Sequence, residues 1–176
     1  VVKAFDMDGK EKLLTQVFVD IVPSSTKKIL SVKRALDEMA AKEGGFLSLQ
    51  LLDTDKGVIT ENLYWLPDNK GEFSGLQSMK ADGLVSTARF INPGKIEVTL
   101  SNKQQRMLSF FNRVSLIDQD SKQRVLPAFY TDNYISILPG AEKKIIVEYP
   151  ITSGKNLAIE VDGWNSAAKT TIKIQN

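Results

Sequence analysis

Three kinds of side-chain grouping in this sequence have the types and spacing to do chemistry. The first is a set of closely spaced acids: Asp6 and Asp8 before Gly9, Asp53 and Asp55, and Asp118 and Asp120. Calcium takes six to eight oxygens from such carboxylates and nearby carbonyls, but none of the three continues into the full ~12-residue loop closed by a glutamate. Aspartate is also a favoured turn residue because its side chain accepts hydrogen bonds from the main chain two residues on. The expectation is therefore turns. The second grouping is the pool of 21 acids from which a glycosidase pair could be drawn. Retaining enzymes hold two carboxyls about 5–5.5 Å apart on a rigid scaffold, and inverting ones about 6.5–9.5 Å. Nearly all acids here fall in turns or at outward positions of alternating runs, so no catalytic residue is assigned. The third is aromatic: Tyr64-Trp65, Phe129-Tyr130, Tyr134 and Trp164. Flat rings can stack on the apolar face of a sugar, and a β-sandwich core or a domain interface uses the same large side chains.

Composition narrows the chemistry further. The 176 residues contain no cysteine and no histidine, which excludes a thiol nucleophile, a disulfide framework and the commonest general base. No phosphate-cradling glycine loop or nucleophile elbow occurs. No cofactor or metal is implied. The net charge of +2 and scattered lysines, such as Lys27, Lys28, Lys143 and Lys144, give no basis for a nucleic-acid partner. No apolar run approaches the roughly 20 residues of a membrane span.

The elements that must carry these groups are strands. Period-2 alternation recurs at Gln16–Val22, Phe46–Leu52, Ile96–Leu100, Lys144–Tyr149, Leu157–Asp162 and Thr171–Gln175. Turn signals separate the runs: Asp8-Gly9, Asp53 to Gly57, Asn92-Pro93-Gly94, Asp118 to Lys122, Pro139-Gly140 and Ser153-Gly154. About twelve short strands with polar turns predict an all-β chain of immunoglobulin-like sandwiches. Two stretches depart from the rule. Ser31–Glu43 reads as a short helix with Val32, Leu36 and Met39 on one face and Gly44-Gly45 as its stop. Pro67 to Asp82 has no alternation and reads as a linker. The expected organisation is a partial sandwich over 1–67, a linker over 68–81 and a complete sandwich over 82–176. The start at Val1, inside a strand, reads as that of an excised fragment whose first unit lacks its opening strands.

Four ordered segments go beyond fold class: Glu61-Asn62-Leu63-Tyr64-Trp65-Leu66-Pro67; Arg124 to Tyr134, with Leu126-Pro127 and Tyr130-Thr131-Asp132-Asn133-Tyr134; Leu138-Pro139-Gly140; and Gly163-Trp164-Asn165. A fifth is Ser109-Phe110-Phe111-Asn112-Arg113, which has serine where the family pattern has alanine. Together they resemble the C-terminal immunoglobulin-like domains of family 2 glycoside hydrolases, of the β-mannosidase and exo-β-D-glucosaminidase type. The resemblance is loose over 1–60 and tight over 61–165. It implies a parent enzyme that removes terminal β-linked mannose or glucosamine with retention, using two carboxylates of a central (β/α)8 barrel that this chain lacks. It further implies a non-catalytic accessory role, the barrel of the same polypeptide as partner, possible contact with a β-linked glycan, and a periplasmic or extracellular location. The motif positions Tyr64, Trp65, Arg113, Tyr130, Asp132, Asn133, Tyr134, Trp164 and Asn165 are expected to be structural or interface residues.

Overall fold

The alternating runs form strands because every second side chain can be buried while the backbone pairs with a neighbour. The computed structural model describes residues 1–81, 83–151 and 156–175, and the chain divides into two units, Val1–Met79 and Lys80–Asn176. The division falls inside the stretch read as a linker. Residues up to Met79 belong with the first unit: Ser74–Ser78 make a 3₁₀ turn that buries Gly75 and Leu76. Asp82 and the Ser153-Gly154 turn lie outside the described residues.

In the first unit, β1 (Val2–Asp6), β2 (Glu11–Thr15), β3 (Gly45–Leu52) and β4 (Val58–Leu66) make an antiparallel sheet in the order β2-β1-β3-β4. The helix α1 (Lys33–Ala40) supplies Met39 to a core with Ala4 and Leu47, and Val32, Leu36 and Leu49 pack around it. This is the predicted helix, trimmed at both ends. Its exposed side carries the i,i+4 ion pairs Lys33–Asp37 and Arg34–Glu38. The expected stop is also present: Gly44, at φ +82°, donates its N–H to the carbonyl of Met39 at 3.1 Å.

One expected strand is absent. Gln16–Val22 alternates but has no strand conformation, and Phe18 is 92% exposed. The run is apolar on both of its faces, since Phe18 and Val22 oppose Val17, Val19 and Ile21, and no neighbouring strand pairs with it. It leaves the described first unit with four strands in one sheet, against the five anticipated.

In the second unit, eight strands form a ladder: β5 (Leu84–Asn92), β6 (Lys95–Asn102), β7 (Ser109–Asp118), β8 (Phe129–Tyr130), β9 (Ile135–Ile137), β10 (Glu142–Glu148), β11 (Leu157–Asp162) and β12 (Thr170–Gln175). The order is β8-β10-β6-β5-β12-β11-β7-β9. A short parallel pairing, Ile174 with Ala88 and Gln175 with Arg89, joins its two halves. One core draws on both: Ile96, Val98, Leu100, Ile145 and Val147 from one half, Val114, Leu116, Ile159 and Val161 from the other. Apart from Val114 and Leu116 of β7, these are the inward positions of the period-2 runs. The sandwich is all-β, as the sequence predicts.

The acid pairs are turn devices. Asp53 Oδ1 accepts from the N–H groups of Asp55 and Gly57 at 3.0 and 2.7 Å, and Asp6 Oδ1 from that of Lys10 at 2.9 Å. Asp118 Oδ1 accepts from the N–H groups of Asp120 and Ser121 and from the Ser121 hydroxyl. The bonds from Ser121 hold the Asp118 carboxyl below its ordinary value. A depressed carboxyl contributes stability that is present above the unfolded-state value and lost as pH falls through the folded one. Carbon-detected titration is expected to place the Asp118 midpoint below that of the same residue in a disordered peptide. Asp118→Asn keeps an acceptor at Oδ1 and is expected to make this turn indifferent to acid.

Candidate functional site

The long strand β7 lies next to the end of the ladder, and the motif residues converge on it. Its short partner β9 pairs only at Ser109 with Ile137 and Asn112 with Ile135, across an irregularity in register. Such bulges re-aim side chains and leave main-chain groups to be satisfied otherwise. Asn133 satisfies two: its Oδ1 accepts from the N–H of Val114 at 2.8 Å, and its Nδ2 donates to the Val114 carbonyl at 2.9 Å. Further along, the Tyr130 hydroxyl accepts from the N–H of Leu116 at 2.9 Å. Burial raises the Tyr130 phenol above its ordinary value, against the opposing pull of that hydrogen bond, so the hydroxyl is neutral at physiological pH. Two side chains thus extend the ladder where β9 stops.

Asn165 does the same work at the other end of β7. It is buried, accepts from the N–H of Phe110 at 2.8 Å, and donates to the carbonyls of Leu108 and Lys80 at 2.8 and 3.0 Å. Asn112, also buried, donates to the carbonyls of Ser109 and Ile135 and exchanges hydrogen bonds with the Ser109 hydroxyl. An added Cβ at Gly163 would stand 2.4 Å from Asn112 Oδ1, so glycine is required there.

Between these anchors the surface opens into a shallow groove of about 280 Å³ lined by Phe111, Arg113, Tyr134, Asp162, Gly163 and Trp164. Arg113 and Asp162 are cross-strand neighbours on β7 and β11, and Arg113 Nη2 donates to Asp162 Oδ2 at 3.1 Å. Among the described residues, Arg113 Nε is buried without an acceptor. The Phe111 and Tyr134 rings lie 5.2 Å apart, and Tyr134 and Trp164 are 49% and 56% exposed. The backbone behind each ring is fixed: Phe111 N–H donates to Ser136 Oγ, Tyr134 N–H to Asn133 Oδ1, and Trp164 N–H to the Phe110 carbonyl.

Residues 62–166 match the family model described as the exo-β-D-glucosaminidase Ig-fold domain. The chain belongs to that family. A curated exo-β-D-glucosaminidase from Arthroderma benhamiae is 29% identical over 96% of the chain, and one from Streptomyces avermitilis 29% over 69%. A mannosylglycoprotein endo-β-mannosidase from Lilium longiflorum is 25% identical over 68%. These alignments take in 20%, 16% and 13% of the relatives' own lengths, so the chain spans about a fifth or less of them. Among solved structures, the Amycolatopsis orientalis exo-chitosanase CsxA matches with a TM-score of 0.73 at 20% identity, over 98% of this chain and 23% of that one. At that identity the likeness concerns fold.

Within this Ig-fold domain the motif residues separate. Tyr130, Asn133 and Asn165 are committed to main-chain hydrogen bonds, while Arg113, Tyr134 and Trp164 line the groove. Asp132 is exposed and accepts from the N–H of Asn133. Tyr64 and Trp65 are successive residues of β4, so they face opposite sides of the sheet and cannot form one stacking platform. Phe111, Asp162 and Gly163 also line the groove, and sequence reasoning did not single them out as site residues. Phe111 and Gly163 stand inside the quoted motifs, whereas Asp162 reads as an ordinary outward acid until β7 and β11 are placed in register. With its ring about half exposed, Trp164→Ala is expected to lower stability by less than about 1 kcal/mol in urea denaturation, where a fully buried tryptophan would cost about 3–5 kcal/mol.

Proposed function

We propose that this Ig-fold region is a non-catalytic accessory part of a longer exo-β-D-glucosaminidase of glycoside hydrolase family 2, and that it buttresses the catalytic barrel of the same polypeptide. The observation that carries the reading is the use made of the family's polar motif residues. Tyr130, Asn133 and Asn165 direct their hydrogen bonds to the backbone of β7 and its surroundings, which is the work of a scaffold. The relatives' names and the small share of their length that the chain spans support the same assignment. A periplasmic or extracellular location of the parent belongs to the same proposal and rests on the family assignment. Among the described residues no helix is long and apolar enough to cross a membrane.

The test has two arms. The isolated 176-residue chain is expected to show no turnover of p-nitrophenyl β-D-glucosaminide or the corresponding β-mannoside above buffer. Turnover that survives repurification would sink the non-catalytic reading. In the longer protein, Asn165→Ala is expected to shorten the half-life of activity on heating while KM at low temperature stays within about twofold. A raised KM with unchanged half-life would place the residue in substrate binding instead.

A further inference from the structure

The groove on β7 and β11 has features that scaffolding does not require. Phe111 and Tyr134 both adopt the left-handed backbone region, at φ 54° and 55°. Bulky side chains avoid that region, and strain of this kind concentrates where a side chain must be aimed at a ligand. Both strained residues line the same groove, and their rings are in contact. The third ring, Trp164, stays half exposed although its neighbours on either side are tightly held: Gly163 against Asn112, and Asn165 by three hydrogen bonds. The turn therefore displays the indole. Beside the rings stands an ion pair with hydrogen-bonding capacity left over: Arg113 Nε is buried without an acceptor among the described residues, and Asp162 uses one oxygen on Arg113.

We propose that this groove binds one pyranose unit of a β-linked, gluco-configured glycan. Such a ring carries its hydroxyls equatorially, so its axial C–H groups form a flat apolar face that suits the Trp164 and Tyr134 rings. Its rim of hydroxyls suits Arg113 as donor and Asp162 as acceptor. Among the described residues the lining contains aromatic rings, one ion pair and a glycine, with no aliphatic side chain. Aromatic side chains and arginine also serve domain interfaces, and the variant arm of the test below separates the two uses. The volume of about 280 Å³ lies just under the ~300–1,000 Å³ of pockets that enclose drug-sized ligands, which fits a single sugar ring lying partly in solvent. Arg113 and Asp162 cancel in charge, so a neutral unit and an amino-sugar unit are both accepted.

The choice of glycan class rests on the accessory reading above, and the test separates the two. The 176-residue chain is titrated with cellohexaose and with the β-1,4 hexamer of glucosamine, following the indole N–H signals of Trp65 and Trp164 by NMR, assigned with Trp65→Phe. The expected result is a saturable shift of the Trp164 signal with either sugar. Trp164→Ala and Tyr134→Asn, the latter chosen because asparagine tolerates positive φ, are each expected to weaken binding by about tenfold or more while the thermal midpoint falls by no more than about 4 °C. No shift at millimolar sugar, or undiminished binding by both variants, would overturn the proposal. So would variants that leave sugar binding intact but weaken association with the remainder of the longer protein, because the groove would then be a domain interface. Cleavage of the hexamers during the titration would refute the non-catalytic reading and leave the binding site standing.

Discussion

Replacing Asn165 by alanine is expected to lower the unfolding free energy by about 3–5 kcal/mol, seen as a drop in urea midpoint at unchanged slope. The estimate comes from what is left behind. The amide serves the Phe110 N–H and the Leu108 carbonyl in buried surroundings and the Lys80 carbonyl in a partly buried one. Each such group left without a partner costs about 1–3 kcal/mol. Asn165→Asp keeps an acceptor for Phe110 but turns an oxygen toward the two carbonyls, so it is expected to destabilise as well. The neighbouring Trp164→Ala removes a much larger side chain and is expected to cost far less, because that ring is half exposed. A reversed order, with Trp164 the more costly, would mean that the turn is held by its ring and not by its amide.

The contrast shows what a one-dimensional reading could and could not reach. Core positions were legible wherever alternation put Val, Ile or Leu at every second residue, as at Ile96-Val98-Leu100 and Ile145-Val147, all fully buried. The helix was legible from its apolar spacing and its glycine stop, and the turns from aspartates whose side chains serve their own local backbone. Gln16–Val22 misled because alternation specifies a face but cannot supply a partner strand; without one, backbone pairing is absent and Val17, Phe18 and Val22 remain exposed. The site was legible only as a set of names. Motif order singled out Arg113, Asn133, Tyr134, Trp164 and Asn165, but their division into backbone ties and groove lining depends on contacts across 19 to 85 residues of chain. Asp162 stayed hidden for the same reason: only the register of β7 against β11 brings it opposite Arg113, 49 residues away.

The first unit has its own sensitive point, and Gly44→Ala is expected to cost about 3–4 kcal/mol. Two penalties act together. At φ +82° an alanine carries left-handed strain of about 1–2 kcal/mol. The added Cβ would also stand 2.1 Å from the main-chain carbonyl oxygen of Leu66, which cannot rotate away as a side-chain tip can. Leu66 is the last residue of β4 and pairs with Gly45, so relief of the collision must separate β3 from β4 at that end. Gly71 provides the control: it has the same φ of +82° and open space around its Cβ position. Gly71→Ala is expected to show the strain alone, about 1–2 kcal/mol. The difference between the two variants measures the collision. Hydrogen exchange should locate it, with the amides paired between Gly45–Leu52 and Val58–Leu66 losing protection in Gly44→Ala and keeping it in Gly71→Ala. Equal costs for the two substitutions would mean that β4 gives way freely at Leu66 and that the close approach of Gly44 does nothing to fix the end of the sheet.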